Sequence, residues 1–210
     1  MDKIFEEMKK YKIVPVIVID DAEDAKDLAD ALCEGGIPVA EVTFRTEAAE
    51  ETIRRMSSRH PDMLVGAGTV LTKEQVDRAA DAGAKFIVTP GLNPEIVSYC
   101  QERNVPVCPG AATPSEVEKA MSFGLDLVKF FPAEPLGGIK MLKAISAVYS
   151  NVYFMPTGGI NGENISDYLA MDRVAACGGS WMVKKDLIKT GEFDQIRNKV
   201  RELAETLVRS

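Results

Sequence analysis

The chain has 210 residues, 46% of them apolar and 27% charged, with a formal net charge of −7. A chain of this length can bury roughly 70% of the surface it exposes when unfolded, and its composition is that of a folded domain rather than a disordered one. The excess of acid argues against a reader of nucleic-acid backbones, which needs clustered Lys and Arg, while leaving a small phosphorylated metabolite compatible as a ligand.

The N-terminal stretch Met1-Asp2-Lys3-Ile4-Phe5-Glu6-Glu7 carries acid where a signal peptide carries base. The apolar run Ile13 to Ile19 is seven residues, far short of the roughly 20 that span a bilayer. Cys33, Cys100, Cys108 and Cys177 form no C-x-x-C pair, so they read as reduced thiols of a cytoplasmic protein. The one histidine, His60, precedes Pro61 in a polar stretch. A two-histidine metal site is therefore excluded, a Ser-His-Asp triad would rest on that loop residue, and no D-x-D-x-D-G calcium loop is present. The expectation is chemistry without a metal or a cofactor.

A helix from Asp2 to Tyr11 precedes eight short apolar runs. They begin at Ile13 (IVPVIVI), Val39 (VAEVTF), Leu64 (LVGA), Phe86 (FIVT), Val105 (VPVC), Asp126 (DLVKFF), Val152 (VYFM) and Val174 (VAAC), spaced 19 to 26 residues apart. Each is followed by a helical pattern, which makes a repeated β-α unit. The runs are too apolar to alternate, as parallel strands covered on both faces require. Thr72-Lys73-Glu74-Gln75 and Thr113-Pro114-Ser115-Glu116 read as capping boxes, and Asn93-Pro94 as a cap followed by proline. Gly35-Gly36, Gly83 and Gly124 read as helix ends. A final helix covers Asp194 to Arg209. With no linker or change of composition, residues 1–210 read as one α/β domain, a (β/α)8 TIM barrel with an extra N-terminal helix. A doubly wound open sheet is the competing fold.

In such a barrel the chemistry lies at the C-terminal ends of the strands, so a polar residue late in an apolar run is the one to question. Lys129 stands late in Leu125-Asp126-Leu127-Val128-Lys129-Phe130-Phe131-Pro132. A lysine is rarely buried without a partner or a task, and withdrawing an amine from water favours the neutral form that attacks carbonyls. The alternative is a lysine snorkelling to the rim. Lys85, just before Phe86-Ile87-Val88, serves as a control and should be solvated. Glu41 interrupts Val39-Ala40-Glu41-Val42-Thr43-Phe44 and shares a face with Val39 and Thr43. A buried carboxylate there needs a cation or donors; it fits either an acid/base beside Lys129 or a structural ion pair.

Arg45 ends the same run and could clamp a carboxylate. Gly66-Ala67-Gly68-Thr69 and Thr89-Pro90-Gly91 end the third and fourth runs with small residues. The last two runs lead into Pro156-Thr157-Gly158-Gly159-Ile160-Asn161 and Gly178-Gly179-Ser180. Glycine-rich loops after strands seven and eight form a common phosphate site in these barrels. Trp181 reads as packing.

Together these motifs resemble the 2-keto-3-deoxy-6-phosphogluconate (KDPG) aldolases, also described as 4-hydroxy-2-oxoglutarate (KHG) aldolases. The matching stretches are EVTFRTE (Glu41 to Glu47), GAGTVL (Gly66 to Leu71), TPGL (Thr89 to Leu92), VKFFPAE (Val128 to Glu134), PTGGI (Pro156 to Ile160) and GGSW (Gly178 to Trp181). The resemblance implies a class I aldolase on a (β/α)8 barrel, a cytoplasmic homotrimer acting on KDPG, its galactonate epimer or 4-hydroxy-2-oxoglutarate. It implies Lys129 as the Schiff-base lysine and Glu41 as the acid/base. Arg45 and Thr69 would bind the pyruvyl carboxylate end, Pro90 and Phe131 would wall the pocket, and Gly158, Gly159 and Ser180 would hold phosphate. One departure is Val18, where some relatives carry Arg. A phosphosugar isomerase and a non-catalytic phosphosugar-binding barrel are the rival readings. Neither needs Lys129 and Glu41 buried together.

Overall fold

The computed structural model describes residues 2–209; Met1, which opens the acidic N-terminal stretch, and Ser210 lie outside them. The first three strands, β1 (Ile13–Ile17), β2 (Val39–Thr43) and β3 (Leu64–Gly68), are wholly buried five-residue segments. They are followed by β4 (Ile87–Val88), β5 (Val107–Cys108), β6 (Leu127–Phe130), β7 (Tyr153–Pro156) and β8 (Cys177–Gly179). Helices α1 (Lys3–Lys9), α2 (Ala25–Glu34), α3 (Ala49–Arg59), α4 (Lys73–Asp81) and α5 (Pro94–Glu102) pack between or before the early strands. The later ones are α6 (Pro114–Ser122), α7 (Gly138–Val148), α8 (Ile165–Leu169), α9 (Lys185–Lys189) and α10 (Phe193–Arg209). Among the described residues no helix is long and apolar enough to cross a membrane.

All pairings are parallel, with β5-β4-β3-β2-β1-β8 in one curled ladder and β6-β7 in another. The continuous eight-strand closure expected of a TIM barrel is thus not present as regular pairing. Between β5 and β6 there is a single bridge, Gly110 to Lys129, and between β7 and β8 there are two, Phe154 to Val174 and Thr157 to Gly178. The cause is local. β5 has only two residues and is enclosed by Pro106 and Pro109, neither of which has an N–H to give a ladder. β7 itself ends in Pro156.

Helix starts follow the sequence signals with one correction. Thr113 and Glu116 form the full reciprocal capping box, and Asn93 accepts from the Glu95 amide. At Thr72 only half a box forms: Thr72 accepts from the Gln75 amide, while the Gln75 side chain takes the Leu71 amide at 2.7 Å. Gly36, Gly83 and Gly124 all have φ between +75° and +97°, the left-handed conformation that ends helices at lowest cost in glycine.

Candidate active site

Lys129 and Glu41 meet across the interior. They stand on β6 and β2, which share no ladder, and Lys129 Nζ donates to Glu41 Oε1 at 3.1 Å. The side chains are 4% and 0% exposed. Removing two such charges from water costs several kcal/mol per ion before their attraction is counted, on the order estimated for buried pairs. Hydrogen bonds to the remaining lone pairs would offset that cost, yet Glu41 Oε2 is buried without a partner among the described residues. A purely structural pair would be a poor investment of burial; a carboxylate with one oxygen left open suits proton transfer.

Neighbouring strands shape this pair. Glu41 lies beside Val16 on one flank and Gly66 on the other. Two residues on, Gly68 leaves the space that the carboxylate fills; any Cβ at Gly68 would run into the Glu41 side chain. Lys129 is fixed by its backbone, its N–H donating to Pro109 O and its carbonyl accepting from Ala111, both at 2.8 Å. Nζ also lies 5.3 Å from the centroid of the Phe131 ring. Cys108, on β5, is fully buried in the same interior; burial pushes its thiol up, so it stays protonated and inert.

The ends of β3 and β4 carry the next features. Thr69, directly after β3, has φ +56°. A β-branched residue in that region is strained by about 1–3 kcal/mol and persists where the surroundings hold it. Thr89 is buried, with Oγ1 donating to Gly91 O at 2.7 Å, which sets the turn through Pro90. Arg45, two residues past β2, is exposed and has no ion-pair partner among the described residues.

The loops after β7 and β8 converge on one groove of about 620 Å³, lined by Gly159, Ile160, Ser180, Trp181, Val18 and Lys184 among others. The backbone amides of Gly159 and Ser180 donate to no backbone acceptor among the described residues. Two residues that line one groove and have amides without a backbone acceptor leave donors available to an anion.

The family model for KDPG and KHG aldolase matches residues 4–199. The chain belongs to the KDPG/KHG aldolase family. It is 50% identical over 205 residues to a 2-dehydro-3-deoxy-phosphogluconate aldolase of Haemophilus influenzae, covering 98% of this chain and 97% of that one. With the KHG/KDPG aldolase of Escherichia coli K12 it shares 45% identity over 193 residues, 92% and 91% of the two chains. Among solved structures, the KDPG aldolase of Legionella pneumophila, described with pyruvate captured at low pH as a covalent carbinolamine intermediate, superposes with a TM-score of 0.92. It is 41% identical, with 96% of this chain and 98% of that one covered.

Within this KDPG/KHG aldolase fold, Glu41 lies at the middle of β2 and Lys129 one residue before the end of β6, while Thr69, Pro90, Phe131, Gly158 and Ser180 follow the strands in the loops. Lys129, Glu41 and Phe131 come together at the centre. Gly158 packs on Phe131, since a Cβ there would meet Phe131 Cδ2 at 3.3 Å, so the ring lies between the lysine and the glycine loop after β7. Gly159 and Ser180 share the groove, and Val18 forms part of its wall. Arg45 is exposed two residues past β2 and is not among the residues that line the groove. Trp181 packs beneath Gly179 and lines the groove, as expected. Two further residues stand beside the groove loop, a place the sequence reading does not assign to them. Glu134 closes the VKFFPAE motif and was given no role, and Tyr168 sits in α8, where a buried aromatic reads as core. A carboxylate five residues past a suspect lysine was the signal available for the first.

Proposed function

We propose that this protein is a metal-independent class I aldolase that cleaves KDPG to pyruvate and D-glyceraldehyde 3-phosphate, and 4-hydroxy-2-oxoglutarate to pyruvate and glyoxylate. The observation that carries this reading is the buried Lys129–Glu41 pair, 3.1 Å apart, with one carboxylate oxygen open. The Legionella relative described with pyruvate in a covalent carbinolamine supports it. In the same reading the two ladders act as one interrupted (β/α)8 barrel, supported by the bridges at both seams. The family resemblance supports a cytoplasmic homotrimer, testable by light scattering on the purified protein.

The chemistry follows from the pair. Lys129 Nζ, as the free amine, adds to the C2 carbonyl, and Glu41 delivers and removes the protons that turn the carbinolamine into an iminium with loss of water. The iminium then accepts the C3–C4 bonding electrons while Glu41 takes the proton of the C4 hydroxyl. The aldehyde leaves and an enamine remains. Protonation at C3 and hydrolysis of the iminium release pyruvate and restore Lys129. Arg45 and Thr69 hold the carboxylate end, Pro90 and Phe131 flank the carbon chain, and the loops of Gly158, Gly159 and Ser180 hold phosphate.

The test is intact-mass analysis after incubation with pyruvate and borohydride, followed by peptide mapping. A reduced pyruvyl adduct on Lys129 is the expected result. A folded protein that gains no adduct, while an established class I aldolase labels alongside, overturns the imine route. Parallel assays with KDPG, its galactonate epimer and 4-hydroxy-2-oxoglutarate then fix the preferred substrate.

A further inference from the structure

Past the end of β6 and β7 the backbone pairing does not stop. Ala133 N–H donates to Thr157 O at 2.8 Å and Glu134 N–H to Gly158 O at 3.0 Å, so the loop after the catalytic strand is zipped to the glycine loop. The Glu134 side chain then folds over that loop: a Cβ on Gly159 would lie 2.6 Å from Glu134 Cβ and Cγ. Its Oε1 accepts from the hydroxyl of Tyr168, a residue of α8 that is fully buried. Gly138 keeps room for this bond, since a Cβ there would lie 2.8 Å from Glu134 Oε1 and 3.0 Å from the Tyr168 hydroxyl. On the other side, the Gly159 carbonyl accepts from Asn164 Nδ2 at 3.1 Å. Gly159 is therefore held at its Cα and its oxygen, lines the groove, and has an amide with no backbone acceptor among the described residues.

From this arrangement we infer that Glu134 and Tyr168 form a brace that positions the phosphate-binding glycine loop against Lys129. Both are positioning residues; neither reaches the reacting carbon. The chemistry happens at C2 to C4 of the substrate and the phosphate sits at its far end, so the loop must keep its distance from Nζ for binding of phosphate to orient the carbonyl. Small displacements of such a loop are expensive in rate, and side chains that lock a binding loop are the usual means of preventing them. The hydroxyl–carboxylate bond ties three elements: the segment after β6 that follows Lys129, the loop after β7, and α8, which follows that loop. This inference rests on the phosphate reading of the groove.

Tyr168→Phe removes the bond and keeps the ring. The expected result is a KM for KDPG raised roughly 3- to 10-fold, the loss of one hydrogen bond, with inhibition by inorganic phosphate weakened by a similar factor. Both kcat and KM for 4-hydroxy-2-oxoglutarate, which lacks phosphate, should stay within twofold of the parent, about the scatter of such measurements. Glu134→Ala should give the same split, Glu134→Gln should restore most of it because the amide oxygen still accepts, and the double variant should be no worse than either single one. Should Tyr168→Phe fail to fold, the exposed Glu134 carries the test alone. Equal losses on both substrates, additive losses in the double variant, or no change at all would overturn the brace. If the parent protein itself neither prefers KDPG nor is inhibited competitively by phosphate, the phosphate reading falls first, and the brace with it.

Discussion

The two ends of the strand set differ in where polar groups are left without partners. At the N-terminal ends, the charged groups around α2, α3 and the start of β4 are paired. Asp30 accepts from Arg59 at 2.9 and 2.8 Å and faces His60 Nε2 at 2.6 Å, and Lys85, just ahead of β4, donates to Pro61 O at 2.7 Å. At the C-terminal ends, Thr43, Thr46 and Thr89 are bonded, but several groups have no partner among the described residues: Glu41 Oε2, the Gly159 and Ser180 amides, and the Arg45 guanidinium. Closed bonding stabilises a fold, whereas open bonding in a buried or concave place costs stability and is kept for a ligand. The two lysines make the difference concrete. Lys85 is half-buried over a carbonyl, while Lys129 is buried against a carboxylate.

Lys129→Ala should therefore abolish pyruvate release from KDPG, while Lys85→Met should leave kcat within about twofold, the scatter expected of a surface change. A coupled lactate dehydrogenase assay reads both, and comparable losses from the two would dissolve the distinction between the ends. Next in size is Glu41→Gln, which keeps shape and removes the proton carrier. Its kcat should fall by between about 10² and 10⁴-fold, the usual share of general acid–base catalysis, with an unchanged circular dichroism spectrum. An unaltered rate would remove Glu41 from the mechanism. Gly68→Ala sharpens the point from the other side, since the new methyl occupies the space of the carboxylate. A loss of about 10²-fold in kcat is expected from misplacing Glu41. Retention of full activity would show that the position of the carboxylate is not critical.

Much of this was legible in the sequence, and the reasons are specific. β1, β2 and β3 begin at the residues where their apolar runs begin, because five buried residues in register leave little freedom. The period of two put Glu41 on the same face as Val39 and Thr43 and so against the interior. Lys129 stood out because a cation in LVKFF has few harmless explanations. The later strands start one to three residues after their runs do, as at β5 and β8, where Pro106 and isolated bridges at the seams limit the ladder. Local pattern carries no information on such seams, which depend on how distant strands meet. The Tyr168–Glu134 bond was invisible for a related reason. Its partners are 34 residues apart, and although Glu134 lies in the motif of Lys129, nothing in the chain pairs it with Tyr168.

The smallest expected effect tests the closed end alone. Asp30 on α2 is held by the Arg59 guanidinium, and more weakly by His60, so its carboxyl falls from the ordinary 3.8 to about 2. A carboxylate whose acidity is increased by folding contributes stability above its unfolded value, and that contribution is lost as pH falls through the folded one. The window is therefore pH 4 down to about 2. Arg59 and Asp30 are 52% and 24% exposed, so solvent screening holds the contribution below about 1 kcal/mol, or a few degrees in Tm for a chain of this size. Melting curves of the parent and of Asp30→Asn should differ above pH 4 and converge as pH approaches 2, while kcat at neutral pH stays the same in both. A parallel offset at every pH would mean that packing, not charge, is what Asp30 supplies. A change in kcat would mean that the two ends are coupled, contrary to their separate bonding.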